Sequence, residues 1–200
     1  SLAAASDVYK RQQRVWVSCL MALNPQRTID ELKALRTLTG DEHGAQRVAF
    51  TDTWVTARAF LNARLDALPV TQHMDAAGNW WATLPGRSDR TLIIGGHLDS
   101  VPNGGWLDGC LNVLAGLEVM RRVSEQYAGT PPVTLKLVDW ADEEGARFGR
   151  SLYGSSAAGG NIDVAEMQKL RDRDGVSLED ALRRVGVTLT AAPQARKELE

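Results

Sequence analysis

Two short apolar runs on either side of one strongly amphipathic stretch constrain the fold of this chain most. Residues 91–95 and 133–140 each have the length and composition of a buried strand. Residues 110–123, between them, repeat apolar side chains at helical spacing, and the predicted apolar face comprises Leu111, Val113, Leu114, Leu117 and Met120. This strand–helix–strand order is typical of an α/β domain whose sheet is buried between helices.

The flanking segments predict more helices and two further strands. Residues 29–38, with Thr28 as the candidate N-cap, and residues 52–68, capped by Thr51 or Asp52, have helical periodicity. Strands are predicted at 70–74 and 79–84 with a turn at 75–78, a loop at 38–46, and helices at 14–23, 151–158, 164–173 and 177–185. The order of elements predicts a layered α/β fold with a mixed central sheet.

Composition narrows the classes of function. The 200 residues suit one domain, and 44% hydrophobic with 24% charged residues can form a packed core. A formal net charge of -2 gives no support for a nucleic-acid or membrane-surface partner, and no stretch has the roughly 18 apolar residues of a membrane span. Lys10, Arg11 and Arg14 interrupt any signal-peptide pattern. We interpret Cys19 and Cys110 as reduced thiols and expect a cytoplasmic protein.

Side chains that can bind metal follow both apolar runs. His97 and Asp99 come directly after the first run, and Asp108 precedes the amphipathic helix. Ligands of open α/β folds bind at the carboxyl ends of the strands, where these residues should lie. Histidine nitrogen and carboxylate oxygen are ligands that zinc takes in proteins. Asp99 can hold the second nitrogen of a metal-bound His97, and the two oxygens of Asp108 can reach two metals.

An acidic run, residues 142–144, follows the second apolar run. Adjacent carboxylates repel one another, so their clustering needs a cation or protons to offset it. A workable division gives Glu144 to a metal and Glu143 to the water molecule, as general base and then general acid. The two regions together predict a two-metal hydrolase site.

These segments resemble the N-carbamoyl-L-amino-acid hydrolases, β-alanine synthase and allantoate amidohydrolase, of the dinuclear-zinc aminoacylase and carboxypeptidase superfamily. The matching segments are 95–105 (GGHLDSVPNGG), 108–109 (DG), 113–119 (VLAGLEV), 142–151 (DEEGARFGRS) and 154–155 (GS), with weaker similarity at 47–52 (RVAFTD) and 76–79 (AAGN). The resemblance implies a three-layer, zinc-exopeptidase-like catalytic domain with a mixed central sheet.

The resemblance also implies a role for each site residue. His97 would bind one metal, Glu144 the other, and Asp108 both, with Glu143 as general base and Asp99 as the partner of His97. The cofactors would be two divalent ions, Zn²⁺ first, with Mn²⁺, Co²⁺ or Ni²⁺ suiting the same ligands. A metal-bridging hydroxide would then attack a linear amide or ureido carbonyl.

The implied substrate is a small molecule. An N-carbamoyl-L-amino acid would give the amino acid, carbon dioxide and ammonia. Allantoate or another ureido acid, and an N-acyl amino acid, are the alternative substrates. Arg147 and Arg150 could meet a substrate carboxylate or pair with nearby acids. Ser155 and Ser156 are not expected to be nucleophiles, because no histidine is placed to activate them.

The resemblance further implies that residues 13–200 form only the N-terminal part of a catalytic domain. Two more histidine ligands, one in a His-Ile-Glu-Gln-Gly-type segment, and the lid and dimerisation domain of a homodimer are expected beyond Glu200. His43 and His73 do not occupy ligand positions, so the 200-residue chain is expected to be catalytically incomplete. Residues 1–12 are interpreted as a leader that is either non-native or an ordinary frayed terminus.

Overall fold

Residues 22–200 are described by a computed structural model of the chain. The helices are α1 (Pro25–Thr39), α2 (Asp52–Leu65), α3 (Cys110–Gln126), α4 (Tyr153–Ala158), α5 (Val164–Met167) and α6 (Leu178–Arg184), followed by a 3-10 helix, Leu189–Glu198. The strands are β1 (Gly40–Asp41), β2 (Gly44–Ala45), β3 (Thr71–Met74), β4 (Trp80–Leu84), β5 (Thr91–His97) and β6 (Thr134–Trp140).

Four of these strands form a mixed sheet with the spatial order β3-β4-β6-β5. β3 and β4 form an antiparallel hairpin, and β4 pairs antiparallel with β6. β5 and β6 run parallel, joined by the crossover through α3, and their last residues, His97 and Trp140, are partners in the register. The parallel pair therefore brings the residues after both strands to the same edge of the sheet.

Helices cover the sheet on both faces. The first apolar cluster lies between α1, α2, α3 and one face of the sheet, and it includes Leu61, Leu114 and Leu137. The second lies between the other face, α4, α5, α6 and the 3-10 helix, with Phe50 and Tyr153 packed edge to face at a centroid distance of 6.2 Å. These layers confirm the predicted α/β architecture with its mixed central sheet.

Helix α1 begins four residues before its predicted start. The side chain of Asn24 accepts a hydrogen bond from the backbone N–H of Arg27 at 3.0 Å and caps the helix. Pro25 occupies the first turn, where the fixed φ of proline suits a helix and its missing N–H costs nothing. The prediction that Thr28 is the cap was therefore wrong, since Thr28 is a buried residue inside the helix.

Two other helices are shorter than predicted. α2, which Thr51 caps, ends at Leu65 rather than at residue 68, because Pro69 disfavours the helical conformation of the residue before it. Only Val164–Met167 of the segment 164–173 is α-helical. The rest of the predicted helix is replaced in part by a separate turn, in which the carboxylate of Asp172 accepts hydrogen bonds from the backbone of residues 174 and 176.

Three details of burial and pairing also differ from the predictions. The segment 38–46 is not a plain loop, since β1 and β2 form a short antiparallel pair there. Leu111 is 45% exposed, because the buried stripe of α3 runs through Cys110, Val113 and Leu117 instead. β5 is half-exposed at an edge of the described sheet rather than fully buried.

Some predictions concern residues outside the described range. The leader (1–12), Cys19 and the helix over 14–23, apart from its last two residues, lie there, and residues 22 and 23 are not helical. Cys110 is a free, buried thiol, and burial raises its pKa to about 12. Between residues 22 and 200, no helix combines the length and apolar character needed to cross a membrane.

The 3-10 helix is attached to the sheet through Glu198. Its carboxylate lies 2.7 Å from Nε2 of His73 and 3.0 Å from Nζ of Lys136. Burial raises the pKa of Glu198, but the hydrogen bonds from His73 and Lys136 lower it by more. Its pKa therefore lies below the ordinary value. The carboxylate is therefore ionised more readily in the folded chain than in the unfolded one.

We expect Glu198→Gln to lower the free energy of unfolding by about 1 kcal/mol at pH 7. The stabilisation is present above the unfolded pKa of Glu, about 4.3, and is lost as the pH falls through the lower folded value. Denaturant unfolding at pH 7 and below pH 4 measures the difference. Glu200→Gln, on a side chain 57% exposed beside Arg196, is the control. A deficit that persisted at low pH would contradict an electrostatic origin.

Candidate metal centre

β5 places His97 at the edge of the sheet. Its Nδ1 lies 3.1 Å from the backbone oxygen of Asp99 and 3.5 Å from the carboxylate of Asp99, which leaves Nε2 as the other ring atom available to a ligand. Gly109 is adjacent, with φ +65°, and a Cβ atom there would lie 2.5 Å from Nδ1 of His97. The turn before α3 can therefore approach the ring only with glycine at this position.

That turn brings Asp108 towards His97. His97, Asp108 and Glu144 each offer one ligand atom, and these three atoms all lie within 4.8 Å of one another. Asp108 is exposed, while His97 and Glu144 are half-buried, so the cluster opens to solvent on one side. One nitrogen and two carboxylate oxygens are a donor set that zinc and similar divalent ions accept.

The loop that carries Glu143 and Glu144, hereafter the acidic loop (residues 141–154), closes on itself through three backbone hydrogen bonds. Gly154 donates to the carbonyl of Ala141 at 2.8 Å, and residues 153 and 152 donate to the carbonyls of residues 142 and 143 at 3.2 and 2.9 Å. Asp142 adopts a left-handed backbone conformation, with φ +52°. This sharp turn after β6 directs the chain back towards β5.

Asp99 connects the two halves of the site. It is 1% exposed, and its two carboxylate oxygens accept hydrogen bonds from the backbone N–H groups of Glu143 (3.2 Å) and Glu144 (3.1 Å). The same carboxylate lies 3.5 Å from His97, which is long for a hydrogen bond. Its shortest contacts are therefore with the acidic loop, and its role as the partner of His97 stays a prediction.

Glu143 has one carboxylate oxygen held in place. Ser155, on α4, donates a hydrogen bond from its hydroxyl to Oε2 of Glu143 at 2.7 Å. Burial raises the pKa of Glu143, the Ser155 hydrogen bond and the charge of His97 lower it, and the balance lies above the ordinary value. A raised pKa suits a carboxylate that takes up and releases a proton near neutral pH.

The charges at this edge of the sheet oppose one another. Burial raises the pKa of Glu144, His97 lowers it, and Asp108 raises it, with the balance above the ordinary value. Burial and the charge of Asp99 raise the pKa of Asp142 to about 8. Burial lowers the pKa of His97, but Asp99 and Glu144 raise it more, to about 9. Without a cation, protons must therefore offset part of the negative charge.

The two other histidines are not part of this cluster, and the expectation that they have no ligand role stays a prediction. His43 is exposed in the β1–β2 turn, 3.8 Å from Glu42, and His73 contacts Glu198. Arg147 forms an ion pair with Asp172 at 3.0 Å and donates to the carbonyl of Phe50. The geometry therefore favours structural pairing over substrate binding for Arg147.

Sequence reasoning assigned no role to Asp139, which supports the His97 side of the site. Asp139 is fully buried, accepts a hydrogen bond from the backbone N–H of Leu98 at 2.7 Å, and forms an ion pair with Arg58 at 2.7 Å. Arg58 also lies over the ring of Trp54, 3.9 Å from its centroid. An acidic residue inside the predicted core strand 133–140 was the signal that could have identified it.

Asn79 and Ser155 also received no role from the sequence. Asn79 contacts both ends of the acidic loop, and Ser155 holds Glu143. Both residues lie inside segments that carry the family resemblance, AAGN and GS. Their position in those motifs was a signal, but only the folded structure shows what they contact.

The mixed sheet between two helical layers, with histidine and carboxylates converging at the ends of β5 and β6, is the exopeptidase-like α/β fold that the motifs predicted. The profile of peptidase family M28 matches residues 79–192. This match covers more than half of the chain, and the chain belongs to peptidase family M28.

Individual relatives agree with this assignment. The chain is 32% identical to an allantoate amidohydrolase of Bacillus subtilis over 145 residues, which cover 72% of the chain and 35% of that protein. It is 35% identical to an N-carbamoyl-L-amino acid amidohydrolase of Geobacillus stearothermophilus over 161 residues, covering 78% and 38%.

A solved structure supports the same family. A hydantoinase/carbamoylase family amidase from Burkholderia ambifaria superposes with a TM-score of 0.77 at 32% identity, covering 86% of this chain and 43% of that one. The chain therefore spans less than half the length of each of the relatives named here.

Removing the charge of Asp139 should destabilise the fold strongly. Asp139→Asn leaves the Arg58 guanidinium buried without a counter-charge, and we expect the free energy of unfolding to fall by about 3–5 kcal/mol. Urea unfolding measures this loss. Glu166→Gln, which breaks an exposed ion pair with Lys169, should leave stability nearly unchanged. A loss below about 1 kcal/mol for Asp139→Asn would contradict the importance of this ion pair.

Proposed function

We propose that this chain belongs to a metal-dependent amidohydrolase that cleaves linear amide or ureido C–N bonds, with N-carbamoyl-L-amino acids as the favoured substrates. The observation that carries the proposal is the convergence of His97, Asp108 and Glu144 beside the carboxylate of Glu143. Residues 13–200 are assigned to the N-terminal part of the catalytic domain. Further metal ligands, the substrate contacts and a homodimer interface are assigned to the remainder of a longer protein.

The residues present fit a divalent cation. The charge of Asp108 adds to burial in raising the pKa of Glu144, and a cation between the two carboxylates would offset their negative charge. We assign His97, Asp108 and Glu144 as metal ligands, with Asp108 able to serve two ions through its two oxygens. Two zinc ions are our first choice. A bound divalent metal would supply Lewis acidity, lowering the pKa of water and polarising the substrate carbonyl.

Glu143 is assigned the proton transfer. The hydroxyl of Ser155 donates a hydrogen bond to Oε2, which restrains the orientation of the carboxylate that would exchange the proton. Glu143 would take a proton from the attacking water and pass it to the leaving nitrogen. Its raised pKa lies closer to neutrality than that of an exposed glutamate, which favours both steps.

The relatives support the choice of substrate class. Of the two relatives named above, the N-carbamoyl-L-amino acid amidohydrolase of G. stearothermophilus has the higher identity, 35%, which supports N-carbamoyl-L-amino acids as the first choice. The products would be the amino acid, carbon dioxide and ammonia. The B. subtilis allantoate amidohydrolase, at 32%, makes allantoate the second candidate, and N-acyl amino acids are the third. We expect the enzyme to act in the cytoplasm.

Metal binding tests the ligand assignment on the 200-residue chain. We expect His97→Ala to weaken Zn²⁺ binding, measured by calorimetry, by about 100-fold or more, because it removes the only nitrogen donor of the cluster. His43→Ala removes an exposed histidine from the β1–β2 turn and should bind as the unaltered chain does. Equal affinities for the two variants would contradict the assignment of His97.

Activity tests the role of Glu143 in the longest open reading frame that contains this sequence. Glu143→Gln keeps the shape of the side chain but cannot accept the proton, so we expect kcat to fall by about 10²–10⁴-fold with Zn²⁺ content unchanged. Ammonia release is measured on N-carbamoyl-L-amino acids and allantoate, and carboxylate release on N-acetyl amino acids. Glu125→Gln, on the outer face of α3, is the control. Retained activity in Glu143→Gln would exclude the proposed proton transfer.

A further inference from the structure

The two ends of the acidic loop meet at one buried side chain. Asn79, in the turn before β4, is 0% exposed. Its Oδ1 accepts a hydrogen bond from the backbone N–H of Ala141 at 2.9 Å, and its Nδ2 donates to the backbone carbonyl of Gly154 at 3.1 Å. A single amide group therefore contacts the first and last residues of the loop that carries Glu143 and Glu144.

The orientation of this amide is fixed by its neighbours. The N–H of Ala141 can only donate, so it requires the oxygen of Asn79, and the carbonyl of Gly154 can only accept, so it requires the nitrogen. The nitrogen also donates to Oδ2 of Asp75 at 2.8 Å. A carboxylate at position 79 would satisfy Ala141 but would place oxygen against oxygen at the two other contacts.

Asp75 holds Asn79 in place through hydrogen bonds. Its carboxylate accepts hydrogen bonds from the backbone N–H groups of Ala77 and Asn79 and from Nε1 of Trp81. The β3–β4 turn is therefore a rigid support for the amide. Gly154 allows the close approach, since a Cβ atom there would overlap Oδ1 of Asn79 and lie 2.6 Å from the backbone nitrogen of Ala141.

Asn79 contacts the acidic loop at the two residues where the loop closes. The loop begins after β6 at residue 141 and ends in α4 at residue 154. The hydrogen bond between these two residues is the first of the three that close the loop. Glu143 and Glu144 lie two and three residues after Ala141, which is one of the two ends that Asn79 contacts. Asp99 holds the backbone N–H groups of these two residues, and the N–H of residue 152 holds the carbonyl of Glu143.

We propose that Asn79 is a positioning residue that fixes the acidic loop so that Glu144 meets His97 and Asp108 and Glu143 faces the same space. This inference rests on the proposed metal-dependent function. Asn79 touches neither metal nor substrate and acts only through the backbone of Ala141 and Gly154. Outer residues of this kind change metal affinity by about 10–100-fold when they are replaced.

Cobalt and zinc binding to the 200-residue chain test the proposal without any need for activity. The variants are Asn79→Ala, which removes the amide, and Asn79→Asp, which keeps the shape of the side chain but replaces the NH₂ donor with an oxygen acceptor. We expect both to weaken Zn²⁺ binding by about 10–100-fold and to alter the visible absorption of bound Co²⁺, which reports ligand geometry. Asn79→Ser, which can satisfy one end of the loop but not both, replaces either variant that lacks a native circular dichroism spectrum.

Trp81→Phe is the matched control. It removes a hydrogen bond to the same Asp75 carboxylate and leaves both contacts of Asn79 with the loop intact. We expect its Zn²⁺ affinity to stay within about twofold of the unaltered chain, and its Co²⁺ spectrum to be unchanged.

The outcomes separate this proposal from the metal site itself. If the unaltered chain binds no Zn²⁺ more tightly than His97→Ala does, the proposed metal site fails. If it binds, and folded Asn79 variants bind with the same affinity and Co²⁺ spectrum, the positioning role is overturned. An equal loss in Trp81→Phe would also overturn it, because general weakening of the turn would then explain the effect.

Discussion

The buried carboxylate of Asp99 is the interaction on which the site depends. It follows β5 directly, and it binds the backbone of the loop that follows β6. A carboxylate that accepts two N–H groups is held in a definite position, and it holds their residues in return. The parallel pairing of β5 and β6 brings the two segments to one edge of the sheet, but Asp99 sets the distance between His97 and Glu144. Its burial also keeps water from competing for these hydrogen bonds.

The same carboxylate adds to the electrostatic cost of the site. Asp99 raises the pKa of Asp142, Glu143 and Glu144, all of which are also raised by burial. A fold selected for stability alone would have little reason to place so many acids together. Perturbed ionisation of this kind is common at functional sites, because the arrangement that destabilises the free protein is what a cation or reacting group relieves. The raised pKa of His97, to about 9, is the complementary response of a basic group beside these acids.

The sequence could predict the parts of the site that are local. The strand–helix–strand order and the polar residues after each strand give the fold class and bring His97, Asp108 and Glu144 to the same edge, because the period and the ends of the elements are local properties. Asp139 and Asn79 could not be assigned in this way. The partner of Asp139 is Arg58, 81 positions away, and Asn79 contacts Gly154, 75 positions away. Local sequence patterns cannot identify partners so far apart along the chain. Which residues meet depends on the strand register.

Asp139 and Asn79, which the sequence alone did not identify, share one physical feature. Asp139 holds the N–H of Leu98, and Asn79 holds the N–H of Ala141, so each buried side chain binds a backbone group just beyond the end of a central strand. At these points the ladder of β-sheet hydrogen bonds stops, and the next N–H group needs another acceptor if it is buried. A side chain that supplies this acceptor also fixes the direction in which the chain leaves the sheet. The directions of the two departures decide whether His97 and Glu144 meet, so satisfying the backbone and building the site are the same structural problem in this fold.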